Sequence, residues 1–257
     1  MLTVDLNCDM GEGMPTDGSI FPFISSANIA CGGHAGGPET MRRSVELALQ
    51  NGVAAGAHPS YPDRDGFGRN DILESQPGAG DKALPFHTLL SMLTAQIGAL
   101  QSICREMGTR LHHVKPHGAL YNRAARDPAV SRIICAAVSA CDSSLIIYGL
   151  SGGFTGQAAA DAGLHFQNEV FADRTYRPDG SLTPRTEPNA LIHDPATMLF
   201  QALTMIRHRQ VRSSTGTLIA ITADSICIHG DGDHAVKFAK ILRVELERNG
   251  IDVAAAE

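Results

Sequence analysis

The sequence predicts a single α/β domain spanning residues 1–257: a parallel (β/α) barrel of seven or eight strands, with some irregularity. Three observations predict it. Short apolar runs of strand length alternate with helical patterns, which is how βαβ units and a parallel sheet read in sequence. About seven such units fill 257 residues, the size of one barrel. Polar, chemically able residues recur where each apolar run ends, and in a parallel barrel those strand ends share the face that carries the active site. An open doubly wound sheet would satisfy the first observation alone.

The first strand is the run Leu2–Leu6, and the second is Ala27–Cys31. Pro38 then opens a helix carrying Met41, Val45, Ala48 and Leu49 at helical spacing and stopping at Gly52, with Pro at the start and Gly past the end. Val53–Ala57 is the third strand. The connection from Pro59 to about Pro85 is long for a βα loop. Its first half is rich in Gly, Arg and Asp, like a ligand loop, and its second half, around Pro77–Ala83, reads as flexible. Leu90, Leu93, Ile97, Leu100, Cys104 and Met107 mark a long helix that ends at Gly108. Leu111–Val114 is the fourth strand. Asp127-Pro128 caps a helix with Val130, Ile133, Ile134 and Ala137 inward, and Leu145–Tyr148 and His165–Phe171 are strands. Asp194-Pro195 caps the next helix, carrying Met198, Leu199, Ala202, Met205 and Ile206. Leu218–Ile228 is strand in parts, and a last helix runs from about Asp233 to Gly250.

Composition narrows the function classes. The chain is 43% apolar and 19% charged, which is globular. A formal net charge of −6 with no dense Lys/Arg cluster argues against a nucleic-acid footprint. No apolar run approaches the roughly 18 residues a bilayer requires. Asp5 and Asp9 fall where the apolar core of a secretory signal would lie, so a cytoplasmic location is expected. The six cysteines form no C-x-x-C pair and sit largely in apolar runs, so buried free thiols are expected. Cys31 in particular reads as a packing thiol.

Six segments carry chemistry. In Asp5-Leu6-Asn7-Cys8-Asp9-Met10-Gly11-Glu12, residues Asp5, Asn7 and Asp9 alternate and share one strand face. Inward carboxylates there suit a metal, a general base or a substrate amine. Ser26–Pro38 runs from strand through a glycine-rich turn into a helix, with Asn28 and His34 placed to meet an anion; it is neither a Walker A loop nor a G-x-G-x-x-G fingerprint. Gly56–Arg69 sets His58 at a strand end and Arg69 on a turn freed by glycines. His113-Val114-Lys115-Pro116-His117 points Lys115 and His117 the same way, for oxyanion neutralisation and proton transfer, around a proline where a cis bond is conceivable. Glu169, Asp173 and Arg174 form a candidate charge network, with Arg185 further on. Finally, His229 and Asp231 precede the last helix. No short zinc motif exists, so a metal would need ligands gathered from different strands, such as Asp9, His34, His58 and His117.

Taken together, Asp5–Glu12, Ser26–Pro38, Gly56–Arg69, Val114–Asn122, Glu169–Leu182 with Arg185, and Ile226–Asp231 stand in an order that resembles the LamB/YcsF family. The pieces Lys-Pro-His-Gly-Ala-Leu-Tyr-Asn and Glu-Val-Phe-Ala-Asp-Arg are specific, and the resemblance covers nearly the whole chain. It implies a barrel related to the glycoside hydrolase/deacetylase superfamily. The family's characterised members are A subunits of prokaryotic ATP-dependent 5-oxoprolinases. The resemblance therefore implies opening of the 5-oxoproline lactam to L-glutamate coupled to ATP hydrolysis, with subunits B and C as partners. The expected roles follow. Asp9, His58, Lys115 and His117 are catalytic. Asn7, Glu12, Asn28, His34, Arg69, Glu169, Asp173, Arg174 and His229 bind substrate or phosphate. ATP is the co-substrate, with a divalent cation as a further cofactor. Departures are local. The usual Cys-Gly-Phe-His-Ala-Gly-Asp-Pro has Gly33 for Phe and Gly37 for Asp, Ala95–Leu100 has Ala where Tyr is usual, and Gly232-Asp233-His234 differs from the usual continuation. A wider pocket and a lost helix cap are the expected effects, touching substrate fit more than reaction class. Two alternatives remain at this level: a metal-dependent amide hydrolase or deacetylase needing no ATP, and a non-catalytic protein that binds the substrate for its partners.

Overall fold

A computed structural model describes residues 2–74, 83–228 and 235–257. Seven parallel strands close into a barrel. They are β1 (Leu2–Met10), β2 (Ser26–Ala30), β3 (Ala54–His58), β4 (His113–Val114), β5 (Ile146–Leu150), β6 (Phe166–Phe171) and β9 (Ser225–Ile228), and β9 returns to pair with β1. The two strands numbered between them, β7 (Gln210–Arg212) and β8 (Leu218–Ala220), form a separate antiparallel pair. The expected run Leu218–Ile228 therefore divides, and only its second part enters the barrel. A tenth strand, β10 (Ile251–Val253), adds to the opening residues Leu2–Val4 of β1.

The helices are α1 (Asp17–Ile20), α2 (Pro38–Asn51), α3 (Leu89–Glu106), α4 (Gly118–Arg126), α5 (Pro128–Cys141), α6 (Phe154–Asp161), α7 (Pro195–His208) and α8 (Ala235–Arg248). The long ones follow their caps. Asp127 accepts from the amides of Ala129 and Val130, and Asp194 from that of Thr197. Helix α2 starts at Gly37 with no side-chain cap, as the loss of Asp there implies. Among the described residues no helix is long and apolar enough to cross a membrane, and no peptide bond is cis, so Lys115–Pro116 is trans.

Strand alternation divides the barrel wall. Val4, Leu6, Cys8 and Met10 turn outward and are buried beneath the helices, as are Ile226 and Ile228. Asp5, Asn7 and Asp9 turn inward. The barrel lumen is thus polar, and its groups answer one another across strands. Asp5 accepts from the hydroxyls of Ser25, Ser26 and Ser225. Burial raises its pKa despite those bonds. Space inside is tight. A Cβ on Gly56 would lie 2.1 Å from His113 Nε2, so only glycine lets the His113 ring cross the lumen. All six cysteines are free, and all but Cys141 are buried.

Candidate active site

The C-terminal ends of the strands gather the reactive groups. β1 runs four residues past its expected end, which places Asn7 and Asp9 within the strand and Glu12 just beyond it. β3 ends on His58, and β4 is followed by Lys115 and His117. The glycine turn after β2 delivers His34.

Lys115 is buried at the centre. Its Nζ lies 2.7 Å from Glu169 Oε1, 3.0 Å from Asp9 Oδ1, 3.2 Å from Asn7 Oδ1 and 3.1 Å from Cys227 Sγ. Burial favours its neutral form, but Asp9, Cys227 and Glu169 outweigh burial and raise its pKa well above the ordinary value. Burial likewise pushes Asp9 upward, and His58 and Lys115 overcome it, holding that carboxyl well below the usual range. Lys115 is therefore an ammonium already engaged by two carboxylates, not a bare anion site. Glu169 Oε2 is buried with no hydrogen-bond partner among the described residues. Burial and the Glu169 carboxylate push the nearby Tyr121 phenol well upward.

The amides of Asn7 and Asn28 wire this cluster. Asn7 Nδ2 donates to Glu169 Oε1 (2.9 Å) and Ser225 Oγ (2.7 Å), and Asn7 Oδ1 accepts from Asn28 Nδ2 (2.8 Å) as well as Lys115. Asn28 Nδ2 also donates to Asp9 Oδ1 (2.9 Å), and its Oδ1 accepts from His113 Nε2 (2.9 Å). Every amide proton of both residues is occupied within the protein. In this arrangement neither amide has an N–H left over for a ligand.

Above the lysine stands a second cluster. Glu12 Oε1 lies 2.9 Å from His34 Nε2, 3.4 Å from His117 Nδ1 and 3.8 Å from His58 Nε2. His58 Nε2 is 2.8 Å from His117 Nδ1 and 3.3 Å from Asp9 Oδ2. His34 and His117 stack with ring centroids 3.7 Å apart. Burial first, then the neighbouring imidazoles, hold His117 well below its usual pKa, and burial lowers His34. One donor atom from each of Glu12, His34, His58 and His117 lies within 4.8 Å of the others, so this group could hold a metal ion. The ligand set anticipated from sequence changes in one member: Glu12 takes the place of Asp9, whose Oδ1 is turned to Lys115 and Asn28.

The remaining expected residues lie further out. Arg69 is exposed, with its guanidinium 5.1 Å from the Phe67 ring centroid, and Phe67 packs edge-on to His34 and His117. Arg174 is buried but donates to the carbonyls of Thr183 and Ala190, bracing the loop after β6 instead of joining Glu169. Asp173 is half-buried beyond β6. His229 and Asp231 lie outside the described residues. Cys31 is buried and its thiol pKa rises to about 12, consistent with packing. Sequence reasoning did not single out Ser60, which meets His34 Nδ1 at 2.9 Å, or the Asn28–His113 link, whose only signal was the crowded His112-His113 pair.

A cavity of about 420 Å³ opens beside the His34 turn, lined by Gly32, Gly33, Pro62, Asp63, Arg64 and Leu84 among others. A Cβ on Gly33 would meet Ser60 Oγ at 2.4 Å and Gln96 Oε1 at 2.9 Å. The side-chain space an aromatic would take there is already filled by Ser60 and Gln96, so the glycine does not simply widen the pocket.

Comparison with known proteins agrees along the whole chain. The model of the LamB/YcsF family matches residues 4–257. A Tolumonas auensis protein, named as the A subunit of 5-oxoprolinase, is 48% identical, covering 99% of this chain and 100% of its own. A Bordetella parapertussis protein of the same name is 48% identical over 98% of each. The crystal structure of a lactam utilization protein from Thermus thermophilus superposes with a TM-score of 0.88 at 39% identity, covering 99% and 100% of the two chains. The catalytic domain of a peptidoglycan N-acetylglucosamine deacetylase from Eubacterium rectale shares the barrel alone, with a TM-score of 0.50 at 10% identity over 99% and 88% of the chains.

Proposed function

The chain belongs to the LamB/YcsF family, and from that premise we propose that it is the A subunit of an ATP-dependent 5-oxoprolinase, converting 5-oxo-L-proline to L-glutamate with subunits B and C. The observation that carries this reading is near-full-length identity to relatives bearing that name. A lactam is a poor electrophile, and phosphorylating its amide oxygen from ATP would activate the ring carbon for water. In balance, 5-oxoproline, ATP and two waters yield glutamate, ADP and phosphate.

The mouth geometry supports such a site. Asp9, kept ionised by His58 and Lys115, orients the attacking water. The free Glu169 Oε2 accepts the lactam N–H, satisfying a buried acceptor that is otherwise unpaired. Arg69 on the rim offers its planar guanidinium to the substrate carboxylate or a phosphate. Lys115 positions the two carboxylates, and its ammonium favours the negative charge that develops on the carbonyl oxygen during attack.

The test is glutamate release from 5-oxoproline with ATP, run on this chain alone and with subunits B and C. Release that requires ATP and the partners supports the proposal. No release from a mixture whose partners are competent with a homologous A chain overturns it. One observation favours a second reading, a metal-dependent amide hydrolase: the Glu12/His34/His58/His117 cluster. Release that survives without ATP but stops with a chelator selects that reading instead. Within the first reading, Asp9→Asn lowers kcat of the complex about 100-fold or more, the range for a lost proton-transfer group.

A further inference from the structure

The second cluster contains a contradiction that hydrogen bonding within the protein does not resolve. His58 Nδ1 lies 2.7 Å from the carbonyl oxygen of Lys115, and His117 Nε2 lies 3.0 Å from the carbonyl oxygen of Phe67. A carbonyl only accepts, so both of those ring nitrogens carry the proton. In neutral imidazoles the opposite nitrogens, His58 Nε2 and His117 Nδ1, are then both lone pairs, and they face each other at 2.8 Å. Two acceptors at that distance repel unless a metal ion or a shared proton lies between them. His112 Nδ1 and His113 Nδ1 face each other in the same way at 3.0 Å with no other ligand group beside them among the described residues, whereas Glu12 and His34 converge on the His58/His117 pair. A ring that gives its outer N–H to a backbone carbonyl and turns its other nitrogen inward is the usual arrangement of a metal-ligating histidine.

Spacing and charge point the same way. Ligands about 2.0–2.1 Å from a tetrahedral ion stand about 3.3 Å apart. The Glu12 Oε1 distances to His34, His117 and His58 are 2.9, 3.4 and 3.8 Å, which bracket that value. The buried mouth holds the carboxylates of Asp9, Glu12 and Glu169 against the single ammonium of Lys115, leaving two negative charges for a divalent cation to balance. His34 completes the set from its own anchor on Ser60 Oγ.

We propose that Glu12 Oε1, His34 Nε2, His58 Nε2 and His117 Nδ1 form a resident site for a divalent transition-metal ion. Three imidazoles and one carboxylate select a borderline ion such as zinc or ferrous iron over magnesium, calcium or manganese, which prefer oxygen ligands. Asp9 stays outside the set as a carboxylate held by Lys115, and the ion takes over at His58 Nε2, 3.3 Å from Asp9 Oδ2, the positive charge that a protonated ring would otherwise place there. The proposal does not rest on the reaction proposed above, because it is read from metal content and ring protonation without turnover.

The experiment uses the full-length, tag-free chain. Metal is stripped and the protein is titrated with zinc and, anaerobically, with ferrous iron, reading stoichiometry by elemental analysis, affinity by calorimetry, and the imidazole tautomers of the zinc form by nitrogen-15 NMR. The expected result is one equivalent per chain of at least one of these ions, a saturable rise in Tm, and inner nitrogens of His58 and His117 that are unprotonated when loaded. Glu12→Gln lowers affinity at least 10-fold. Ser60→Ala lowers it about 10-fold through His34, the scale of an outer-shell loss. His112→Ala, at the opposite end of the barrel, leaves it unchanged. A folded wild-type chain that takes up neither ion stoichiometrically, with an imidazolium at His58 or His117 at pH 7, overturns the proposal: the pair then shares a proton. Because that outcome is read on the wild type, a variant that fails to fold does not obscure it.

Discussion

Lys115 joins two carboxylates that would otherwise repel each other inside the barrel. Lys115→Met leaves Asp9 and Glu169 buried without their counter-charge, a loss of about 3–5 kcal/mol. Denaturant unfolding checks it, and Lys115→Met combined with Glu169→Gln recovers part of the loss. Asp17 shows the opposite electrostatics. Its Oδ2 accepts from the Gly11 amide, but burial, and then Glu12, raise its pKa to about 6, and its Oδ1 is buried with no partner among the described residues. A raised carboxyl pKa means that the folded state holds this proton more tightly than the unfolded state does. The stability it contributes is full below the ordinary carboxylate value and is lost as pH rises through about 6. Asp17→Asn keeps an acceptor for Gly11 and removes the charge. The variant therefore gains on the parent between about pH 4 and 6, by on the order of 1 kcal/mol after allowing for partial exposure, and keeps that gain above. Thermal unfolding across that range checks it. At this scale the reactive types were legible: His and Asp at strand ends beside glycine are unusual in ordinary loops. The roles of Asn7 and Asn28 were not. An amide is a binder or a strut according to whether neighbours occupy its protons, and those neighbours come from strands as distant as Ser225.

Helices differ in how their first turns are satisfied, and this makes α2 and α5 a matched contrast. In α5, Asp127 caps two amides and also pairs with Arg123, so its pKa is lowered. Asp127→Ala costs about 1 kcal/mol. In α2, Gly37 occupies the capping position with φ near 178°, an extended conformation open to any residue, and nothing lies within 4 Å of a Cβ there. Gly37→Asp supplies the missing acceptor and raises stability by a few tenths of a kcal/mol, since glycine is already a tolerable cap. Calorimetry of the two variants reads both changes with opposite sign. The same cap signals made the long helices legible. Helices α4 and α6 were not: α4 has nine residues directly behind the His117-Gly118 turn, and α6 has eight with Gly156 inside, so neither builds enough period to register. Strand β7 was hidden for a related reason, and β8 was legible only as the start of the run Leu218–Ile228 and not as a partner of β7. Three-residue strands with one buried side chain or fewer carry almost no alternation.

The whole molecule separates chemistry from closure along the barrel axis. Reactive side chains occupy the C-terminal ends of the strands, and the chain's own C-terminal segment fastens the other end. β10 pairs with Leu2–Val4, the Ala254 amide donates to the Val4 carbonyl, and His112 Nε2 donates to the Ala256 carbonyl. The barrel itself was legible because strand and helix patterns alternate about seven times. Its closure was not: β9 meets β1 across some two hundred residues, and no local pattern encodes that partnership. The tail was equally silent, since three residues after Gly250 make too short an apolar run to read. This division predicts what truncation after Gly250 does. It removes buried Ile251 and the β10 ladder, exposing the outer edge of β1. The expected cost is about 2–4 kcal/mol. For a domain of this size that is a fall in Tm of roughly 5–15 °C. The mouth is untouched, so under the two proposals above the truncated chain at 25 °C takes up the proposed ion with full stoichiometry and supports glutamate release when mixed with subunits B and C. A truncated chain that keeps its Tm would mean that β10 does not fasten the barrel. One that stays folded but loses the metal would mean that the two ends are coupled through the polar lumen, along the line from His112 to His113, Asn28 and Asp9.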